Sequence, residues 1–401
     1  MRLMHTADWH LGRTLEGRSR EDEQEDVMDE ICRIADDEKV DAILMAGDVF
    51  DTVNPPAISE ALFYETAERL ACGGARPLLV IAGNHDSPER LEASRPLAGR
   101  RGITIVGKPV TSPISLNVRR TNETLVLSCI PYPSESRLNE CLSTMNEETA
   151  IQEAYNSRLE RLFREHAQHF SRETVNILMT HIFTAGGKES ESERPIQVGG
   201  AYTVYPSSFP GEAQYVALGH LHRPQTLEAA PSPARYVGSP LAYSFSESGQ
   251  QKSVTIIDVE PRKGAEVKQI PLSSGRPLVR WHAENGLEEV RRWLEEGRDQ
   301  NAWIDLEIQL DEALNMHDIQ SLRQSNNHIV TIRPIYSKNQ EETKVNSRSD
   351  LPIDQLFIRF YKNQVQGAEP GEELVRLFLQ LIQEDPSVKE AAAGRDRHET
   401  D

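Results

Sequence analysis

The sequence predicts a mixed α/β fold, and three features of the chain support this prediction. Short apolar runs that are typical of buried strands alternate with amphipathic helical stretches over most of its length. Polar residues stand directly after five of these runs, where open α/β sheets place their sites. Near residues 271–281 the pattern changes, and the residues beyond this point indicate a second, smaller α/β domain.

Six apolar runs are expected to form buried strands. They are RLMHTA (2–7), DAILMAGD (41–48), PLLVIAG (77–83), LVLSCIPY (125–132), VNILMTH (175–181) and YVALGH (215–220). Residues 22–38 form an amphipathic helix with Val27, Met28, Ile31, Ile34 and Ala35 on one stripe. Residues 59–70 are expected to form another, with Ser59 available as its cap. Strands that alternate with helices imply a sheet covered on both faces.

The second domain is predicted from a helix and a strict alternation. GLEEVRRWLEEG (286–297) is helical, and WIDLEIQL (303–310) places Ile304, Leu306, Ile308 and Leu310 on one face. We expect a small sheet that is open to water on its other face. The predicted domains are residues 1–275, 276–340 and 341–401, and the last contains a polar linker, a terminal helix and a polar tail.

Composition and charge limit the classes of function. The chain has 401 residues, of which 38% are hydrophobic and 27% charged, as in soluble proteins of two or three domains. No run reaches the length of a membrane span and the N-terminus lacks a signal-peptide stretch, so we expect a cytoplasmic protein. The net charge of −19 repels nucleic acid at long range, so any role there needs local positive charge. The four cysteines, among them Cys141, form no CxxC pair and are expected to be reduced thiols.

The polar residues after the apolar runs are candidate metal ligands. They are Asp8 and His10, Asp48 and Asp51, Asn84, His85 and Asp86, His181, and His220 and His222. Imidazole, carboxylate and amide ligands suit manganese, iron or zinc, and the absence of a thiolate argues against structural zinc. A carboxylate such as Asp48 can bridge two cations, an arrangement that hydrolyses phosphoesters.

Each cluster alone also has a structural interpretation. Asp8 and His10 could be a polar strand end, and GNHD could be turn chemistry. We interpret His5 as a packed or solvent-facing residue rather than a ligand, and Asp86 as a turn or supporting residue rather than a ligand. The charged loop GGKESESERPIQVGG (186–200) follows His181 and should lie near the site. We interpret it as solvated, with a DNA contact through Arg194 as the less favoured alternative, and the same applies to Arg13 and Arg90. The full set at strand ends favours a metal site.

The ordered series DxH, GD, GNHD, H and GHxH resembles the calcineurin-like metallophosphoesterase family. Within it, HTADWHLG, GDVFDTVNPP, GNHDS, SESER and VALGHLHRPQ are similar to the nuclease subunits of double-strand-break repair complexes. The similarity is strong to about residue 275 and weaker through the small domain, which resembles a capping domain. It implies a β-sandwich core flanked by helices, DNA exonuclease and endonuclease activity, and a coiled-coil ATPase partner.

The resemblance also implies a role for each site residue. One ion would be held by Asp8, His10, Asp48 and His222, and the other by Asp48, Asn84, His181 and His220. His85 would face the phosphate and assist departure of the leaving oxygen. Two ions are implied, with manganese preferred. Asp51 stands where archaeal relatives have a histidine, so no supporting role is carried over to it.

The terminal helix within GEELVRLFLQLIQED (371–385) is apolar over more than one face. The apolar residues expected to bind the partner are Leu374, Leu377, Phe378 and Leu381. One interpretation is docking on its own domain, and the other is capture of the ATPase coiled coil. Because a small substrate needs neither this helix nor a capping domain, a DNA nuclease is favoured over a small-molecule or protein phosphatase. A non-catalytic scaffold is disfavoured by the complete ligand set.

Overall fold

The computed structural model describes residues 1–138, 148–194, 202–310, 314, 316–336, 355–358, 361, 370–371 and 374–379. In these residues the strands are β1 (Arg2–Thr6), β2 (Ala42–Met45), β3 (Leu78–Ile81), β4 (Ile103–Val106), β5 (Ile114–Val118), β6 (Glu123–Ile130), β7 (Val175–His181), β8 (Phe183–Thr184), β9 (Thr203–Val204), β10 (Tyr215–Gly219), β11 (Gln225–Thr226), β12 (Ala234–Tyr236), β13 (Ser253–Asp258), β14 (Glu266–Pro271), β15 (Leu278–Ala283), β16 (Trp303–Leu310) and β17 (Ile329–Tyr336). The helices are α1 (Glu21–Asp37), α2 (Ala57–Ala71), α3 (Pro88–Glu92), α4 (Arg95–Ala98), α5 (Glu135–Leu138), α6 (Glu148–Ala167), α7 (Gly286–Glu295) and α8 (Met316–Ser325). All six predicted strands are present.

Two six-stranded sheets pack face to face. The first has the order β14-β13-β1-β2-β3-β4, and its strands β1 to β4 are parallel. The second has the order β11-β12-β10-β7-β6-β5, with β6, β7, β10 and β12 parallel. Leu3 and Leu44 of the first sheet share a buried core with Leu127 and Ile177 of the second. The carboxyl ends of both parallel sets therefore reach one rim.

Helices cover the outer faces of the sandwich. Val27 and Ile31 of α1 pack with Met4 and Ile43 of the first sheet, together with α2. Helix α6 packs on the second sheet. The predicted α/β fold is confirmed, and so is the apolar stripe of α1. The cap at Ser59 was wrong, because α2 begins directly after Pro56, whose fixed φ suits a helix start.

A small parallel sheet of β15, β16 and β17 forms the remaining core of residues 1–336. Its apolar face, which includes Ile304, Leu306 and Ile308, packs with α7 through Val290. The opposite face of β16 carries Asp305, Glu307 and Gln309, of which Gln309 is exposed and Glu307 half-buried. Asp305 on that face is nevertheless only 3% exposed, because Arg333 and Arg280 pair with its carboxylate.

Acidic residues of α1 hold the chain that leads into the small sheet. Glu30 accepts hydrogen bonds from the main-chain N–H groups of Ser273 and Ser274, the latter at 2.7 Å. Glu23 accepts from the N–H of Arg276 at 2.6 Å and from the indole of Trp303 at 2.7 Å. Helix α1 therefore supports the large sheet with its apolar stripe and anchors the small sheet with its acids.

The chain divides into two compact units, residues 1–336 and 337–401. In the described part of the second unit, the rings of Phe357 and Phe378 stack at 3.9 Å. The predicted boundaries at 275 and 340 stay predictions. A search of the described helices finds none with the length and apolarity required to span a bilayer. Cys141 and Leu381 lie outside the described residues.

Candidate metal centre

The seven predicted ligands come together at the rim of the sandwich. The first sheet supplies Asp8 and His10 after β1, Asp48 after β2 and Asn84 after β3, and the second supplies His181 at the end of β7 and His220 and His222 after β10. All except Asn84, which is half-buried, are buried. Residues separated by more than 200 positions therefore share one enclosed polar pocket.

Four of these residues have backbone φ angles in the left-handed region, which residues other than glycine rarely adopt. The φ angles are 53° for Asp8, 46° for His10, 51° for Asp48 and 111° for His220. Such conformations carry an energetic cost, and their clustering points to a functional constraint. Main-chain hydrogen bonds hold two of the loops together, from Asp8 N–H to Gly47 at 2.9 Å and from His10 N–H to Asp48 at 3.0 Å.

Glycines allow the loops to approach each other this closely. A Cβ added to Gly83 would collide with the side chain and backbone of Asp48, and one added to Gly47 would collide with the His181 ring. Gly47 of AGD and Gly83 of AGN are therefore required because the ends of β2, β3 and β7 come into contact at these positions. This explains why these apolar runs are followed by glycine before the polar group.

The ligand atoms form two adjacent groups. In one, atoms of Asp8, His10 and His222 lie within 4.8 Å of one another, and His10 Nε2 is 3.0 Å from His222 Nε2. In the other, atoms of Asp48, His181 and His220 satisfy the same limit. The amide oxygen of Asn84 belongs with this second group, at 2.9 Å from His181 Nε2 and 3.2 Å from His220 Nδ1.

Asp48 faces both groups. Its Oδ2 lies 3.6 Å from His10 Nε2 and 3.3 Å from His181 Nε2. A carboxylate oxygen placed between imidazoles of the two groups is suited to bridging two cations.

One buried polar atom in this pocket fits a cation site. Among the described residues, His220 Nε2 is buried without a hydrogen-bond partner. Buried polar atoms are normally paired, so unpaired ones beside converging carboxylates and imidazoles call for an explanation. The mixture of nitrogen and oxygen donors suits divalent transition ions.

Burial and neighbouring charges set the protonation of the pocket. Burial lowers the pKa of His220 to about 3 and lowers those of His10 and His222 as well, so these rings are neutral. Neutral imidazole is the form that binds metal. Burial also lowers the pKa of His181, but the charges of Asp48 and Asp8 outweigh it and raise that pKa to about 9. His181 in turn holds the pKa of the Asp48 carboxyl well below its usual range, against the effect of burial.

His85 lies at the edge of the pocket. Its main-chain N–H donates to Asp48 Oδ1 at 2.8 Å, and its Nδ1 is 2.6 Å from the carbonyl oxygen of Asp51. Its ring meets that of His10 edge to face at 4.7 Å. Ligand atoms of His10, Asp51 and His85 also lie within 4.8 Å of one another, so geometry alone allows His85 to bind a cation.

The neighbouring polar residues support the loops. Asp86 accepts from the N–H groups of Val49, Phe50 and Gly83 at 2.8–3.2 Å, which fits a supporting residue. Burial, together with the charge of Asp48, raises its pKa to about 6. His5 is fully buried, as expected of a packed residue.

The arginines near the motifs have partners within the chain. Arg90 pairs with Glu60 at 2.9 Å, and Arg13 donates to the carbonyl of Ser192 at 2.7 Å. Their predicted interpretation as solvated side chains holds for Arg90, which is exposed. It was incomplete for Arg13, which binds a neighbouring loop because that loop folds against the first motif.

Sequence reasoning missed the residues behind His222. Ser192 and Glu193 contact its ring and its main chain, and Lys252 donates to its carbonyl at 2.8 Å. The sequence gives one signal, the position of Ser192 and Glu193 in the loop after His181. That loop was interpreted as solvated because its composition is charged.

Residues 1–224 match the calcineurin-like phosphoesterase family. The chain is 51% identical over 381 residues to the SbcD subunit of the nuclease SbcCD from Bacillus subtilis, covering 95% of this chain and 97% of that protein. The chain belongs to the SbcD family of nuclease subunits. The SbcD protein of Escherichia coli K12 is 30% identical over 400 residues, covering 95% of this chain and 98% of its own length. That of Rhodobacter capsulatus is 35% identical over 298 residues, covering 71% of this chain and 72% of its own length.

A second family match lies in the C-terminal part of this SbcD-family chain. Residues 274–365 match the type 5 capsule protein repressor C-terminal domain. This region begins at the segment whose main-chain N–H groups donate to Glu30 and Glu23 of α1, and it includes the small parallel sheet. The predicted resemblance to the calcineurin-like phosphoesterases, and within them to the SbcD nuclease subunits, is confirmed.

Proposed function

We propose that the protein is the nuclease subunit of an SbcC–SbcD-like complex. It hydrolyses DNA phosphodiester bonds with two divalent ions, acting as a double-strand exonuclease of 3′-to-5′ polarity and as a single-strand and hairpin endonuclease. Its setting is DNA repair, recombination and replication in the cytoplasm. The observation that carries the proposal is the Asp48 carboxylate, which faces both groups of ligands in a chain of this family.

Each ion has its own set of ligands in this proposal. Asp8, His10, Asp48 and His222 would hold one ion, and Asp48, Asn84, His181 and His220 would hold the other. We propose Mn²⁺ at both positions. When bound, such ions supply Lewis acidity toward phosphate oxygens and activate water near neutral pH. Two divalent ions carry four positive charges, and the ligand carboxylates of Asp8 and Asp48 would cancel two of them, which offsets the net charge of −19 where DNA binds.

His85 is proposed as the general acid. Its Nδ1 is engaged by the carbonyl oxygen of Asp51, which leaves Nε2 for the departing oxygen of the cleaved strand. The side chain is 11% exposed, so it lies at the mouth of a pocket whose other histidines are enclosed. A proton delivered there stabilises the alkoxide as the phosphodiester bond breaks.

An assay on two substrates tests the reaction. The purified chain is incubated with Mn²⁺ and either linear duplex DNA or a nitrophenyl phosphodiester, with and without the coiled-coil ATPase and ATP. We expect both substrates to be cleaved, EDTA to abolish both reactions, and the partner with ATP to increase DNA cleavage. Cleavage of the small ester alone, under all conditions, would favour the alternative of a small-molecule or protein phosphatase.

The proposed partner is an SbcC-like coiled-coil ATPase, in a heterotetramer that contains two copies of this chain. In the terminal helix, Leu374 and Leu377 are 38% and 51% exposed, whereas Phe378 stacks on Phe357. Among the described residues, Leu374 and Leu377 thus present apolar surface to which a coiled coil could bind, whereas Phe378 packs within its own unit. We expect Leu377→Glu to abolish capture of the ATPase in a pull-down and Arg376→Gln, on the same helix, to preserve it. Unchanged capture by Leu377→Glu would remove the helix from the docking surface.

A further inference from the structure

The rings of His181 and His222 are held by different kinds of partner. His181 Nδ1 lies 2.8 Å from the main-chain oxygen of Ala46, whereas His222 Nδ1 lies 2.6 Å from the hydroxyl of Ser192. A histidine that binds a cation through one ring nitrogen carries a proton on the other, and the acceptor of that proton fixes the ring. For His181 the acceptor is backbone. For His222 it is a side chain that a substitution can remove.

Glu193 holds the main chain of the same histidine. Its Oε1 accepts from the N–H of His222 at 2.8 Å, and its Oε2 accepts from the N–H of Ser190 at 2.6 Å. Only 8% of Glu193 is exposed. Both oxygens of an enclosed carboxylate are thus used, one within its own loop and one on His222.

Arg13 fixes this loop against the first motif. Its Nη2 donates to the carbonyl of Ser192 at 2.7 Å, and its guanidinium lies 5.1 Å from the centre of the Tyr243 ring. The Tyr243 ring meets those of His10 and His222 edge to face, at 5.6 and 5.9 Å. Ser192 and Glu193 are therefore part of a packed support and not of a free loop.

The other half of the centre does not use this support. Within the described residues, no side chain of the segment 190–194 forms a hydrogen bond to Asp48, Asn84, His181 or His220. His181 is the last residue of β7, and the other three follow strand ends of the two sheets. The two halves share the strand-end loops, since the N–H of His220 donates to Asp8 Oδ1 at 2.9 Å, but in the described part of the chain only the Asp8–His10–His222 half also contacts the segment 190–194.

We propose that Ser192 and Glu193 are positioning residues for His222, which set the metal affinity of the Asp8–His10–His222 half and leave that of the other half unchanged. The inference rests on the proposed two-metal site. It assigns a function to the SESER segment that neither the family membership nor the ligand set supplies. Removing a partner of a metal-bound histidine typically lowers metal affinity about 10–100-fold.

Calorimetric titration of the metal-free full chain with Mn²⁺ tests the proposal. We expect the unmodified protein to bind two ions, and Ser192→Ala to bind one of them about 10–100-fold more weakly and the other normally. Ser192→Thr keeps the hydroxyl and should restore the affinity. Ser190→Ala is the matched control, because the Ser190 hydroxyl is buried and has no hydrogen-bond partner among the described residues.

Thermal unfolding without metal separates positioning from general stability. Without Mn²⁺, Ser192→Ala should have nearly the same melting temperature as the unmodified protein. Added Mn²⁺ should raise the melting temperature of the variant by less, because the stabilisation that a ligand gives depends on its affinity. Two ions bound at normal affinity by Ser192→Ala would overturn the proposal. Equal weakening of both ions with a lower metal-free melting temperature would also overturn it, since the role would then be structural.

A second variant covers the case in which Ser192→Ala does not fold. Glu193→Gln keeps the volume but turns one accepting oxygen into an NH₂ group that faces an N–H donor, so it should also weaken one ion. Two ions bound at normal affinity by Glu193→Gln, or equal weakening of both ions with a lower metal-free melting temperature, would contradict the positioning role. If the unmodified chain itself binds fewer than two ions, the proposed two-metal function fails, and this result is distinct from failure of the positioning role.

Discussion

At the scale of single residues, the pocket assigns different tasks to chemically similar side chains. Asp48 and Asp86 are both enclosed, yet Asp48 faces imidazoles of both ligand groups whereas Asp86 accepts three main-chain N–H groups. Asn84 and His85 are adjacent in sequence but point to different surroundings. Asn84 contacts His181 and His220, and His85 contacts the Asp51 carbonyl.

Asp48→Ala is expected to lose both ions together, because its carboxylate lies between the two groups. His10→Ala should weaken mainly one ion, since His10 belongs to only one of the two proposed ligand sets. Elemental analysis after dialysis against Mn²⁺ measures the stoichiometry, with circular dichroism as the check on folding. Retention of two ions by folded Asp48→Ala would rule out the bridging role.

His85→Gln is expected to keep both ions and DNA binding but to lose most exonuclease turnover. A positioned general acid contributes about 10²–10⁴-fold to a rate, so a loss of that size is expected with DNA. A nitrophenyl phosphodiester has a leaving group that needs little protonation and should be cleaved at nearly the normal rate.

The two rates therefore separate the two roles that the geometry allows for His85. Equal slowing of both substrates, or loss of metal from His85→Gln, would assign it to the metal shell. His169→Gln is the control, because His169 is exposed on the surface and the change is the same.

At the scale of elements, a short turn connects the centre to the small sheet. The 3-10 turn Phe245–Glu247 is closed by a capping box in which Ser244 and Glu247 bond each other's main chain. Lys252 forms an ion pair with Glu247 and donates to the carbonyl of His222. The hydroxyl of Ser248 then donates to the carbonyl of Leu278 in β15 at 2.6 Å. This turn is thus linked to a proposed ligand through Lys252 and to the first strand of the small sheet through Ser248.

Lys252→Met is expected to destabilise the chain by about 3–5 kcal/mol, because it leaves the buried Glu247 carboxylate without its counter-ion. Adding Glu247→Gln removes the unpaired charge, so the double variant should be more stable than Lys252→Met alone. Urea unfolding of both variants in EDTA measures the difference. If the double variant is the less stable of the two, the ion pair does not control the stability of this turn.

At the scale of the whole molecule, the two large sheets are joined by a polar contact inside an apolar core. His5 of β1 and Tyr215 of β10 are both fully buried, and His5 Nδ1 lies 3.0 Å from the Tyr215 hydroxyl. Burial, with a contribution from the charge of Arg235, lowers the pKa of His5 to about 3. The folded state therefore requires a neutral His5, whereas the unfolded chain protonates it near pH 6.5.

This difference predicts acid sensitivity of a definite sign. The unfolded state binds more protons between pH 6.5 and about 3, so the stability contributed by neutral His5 is complete above pH 6.5 and declines as the pH falls through this range. One titrating group changes stability by about 1.4 kcal/mol per pH unit. From pH 7 to pH 5, His5→Gln should thus lose about 2 kcal/mol less than the unmodified protein.

Urea unfolding in EDTA at the two pH values gives the measurement, and His169→Gln, at an exposed position, should behave as the unmodified protein does. An equal loss of stability in His5→Gln and the unmodified chain would show that His5 does not titrate between the sheets.

Local features of the sequence were sufficient for six strands of the two large sheets, the helix stripe of α1 and the set of polar residues at strand ends. The reason is physical: apolar periodicity and glycine-terminated runs are properties of a few neighbouring residues. The grouping of ligands into two sets came from family resemblance, because spacing alone does not say which distant residues meet. The strands β13 and β14 were missed. The edge strand β14 is largely exposed and lacks an apolar run, whereas β13 is buried and its apolar residues were overlooked.

Only the tertiary structure decided which loops support the centre. The contacts of Ser192, Glu193 and Lys252 with His222 join positions 29 or 30 residues apart, and that of Arg13 with Ser192 spans 179. No periodicity marks such contacts, because irregular loops meet through the order in which the strands pair. The burial of Asp305 beneath Arg333 has the same origin, since the two residues come together only when β16 pairs with β17. The sequence by itself determined the chemistry available at the rim, and the sheet topology decided which groups hold it in place.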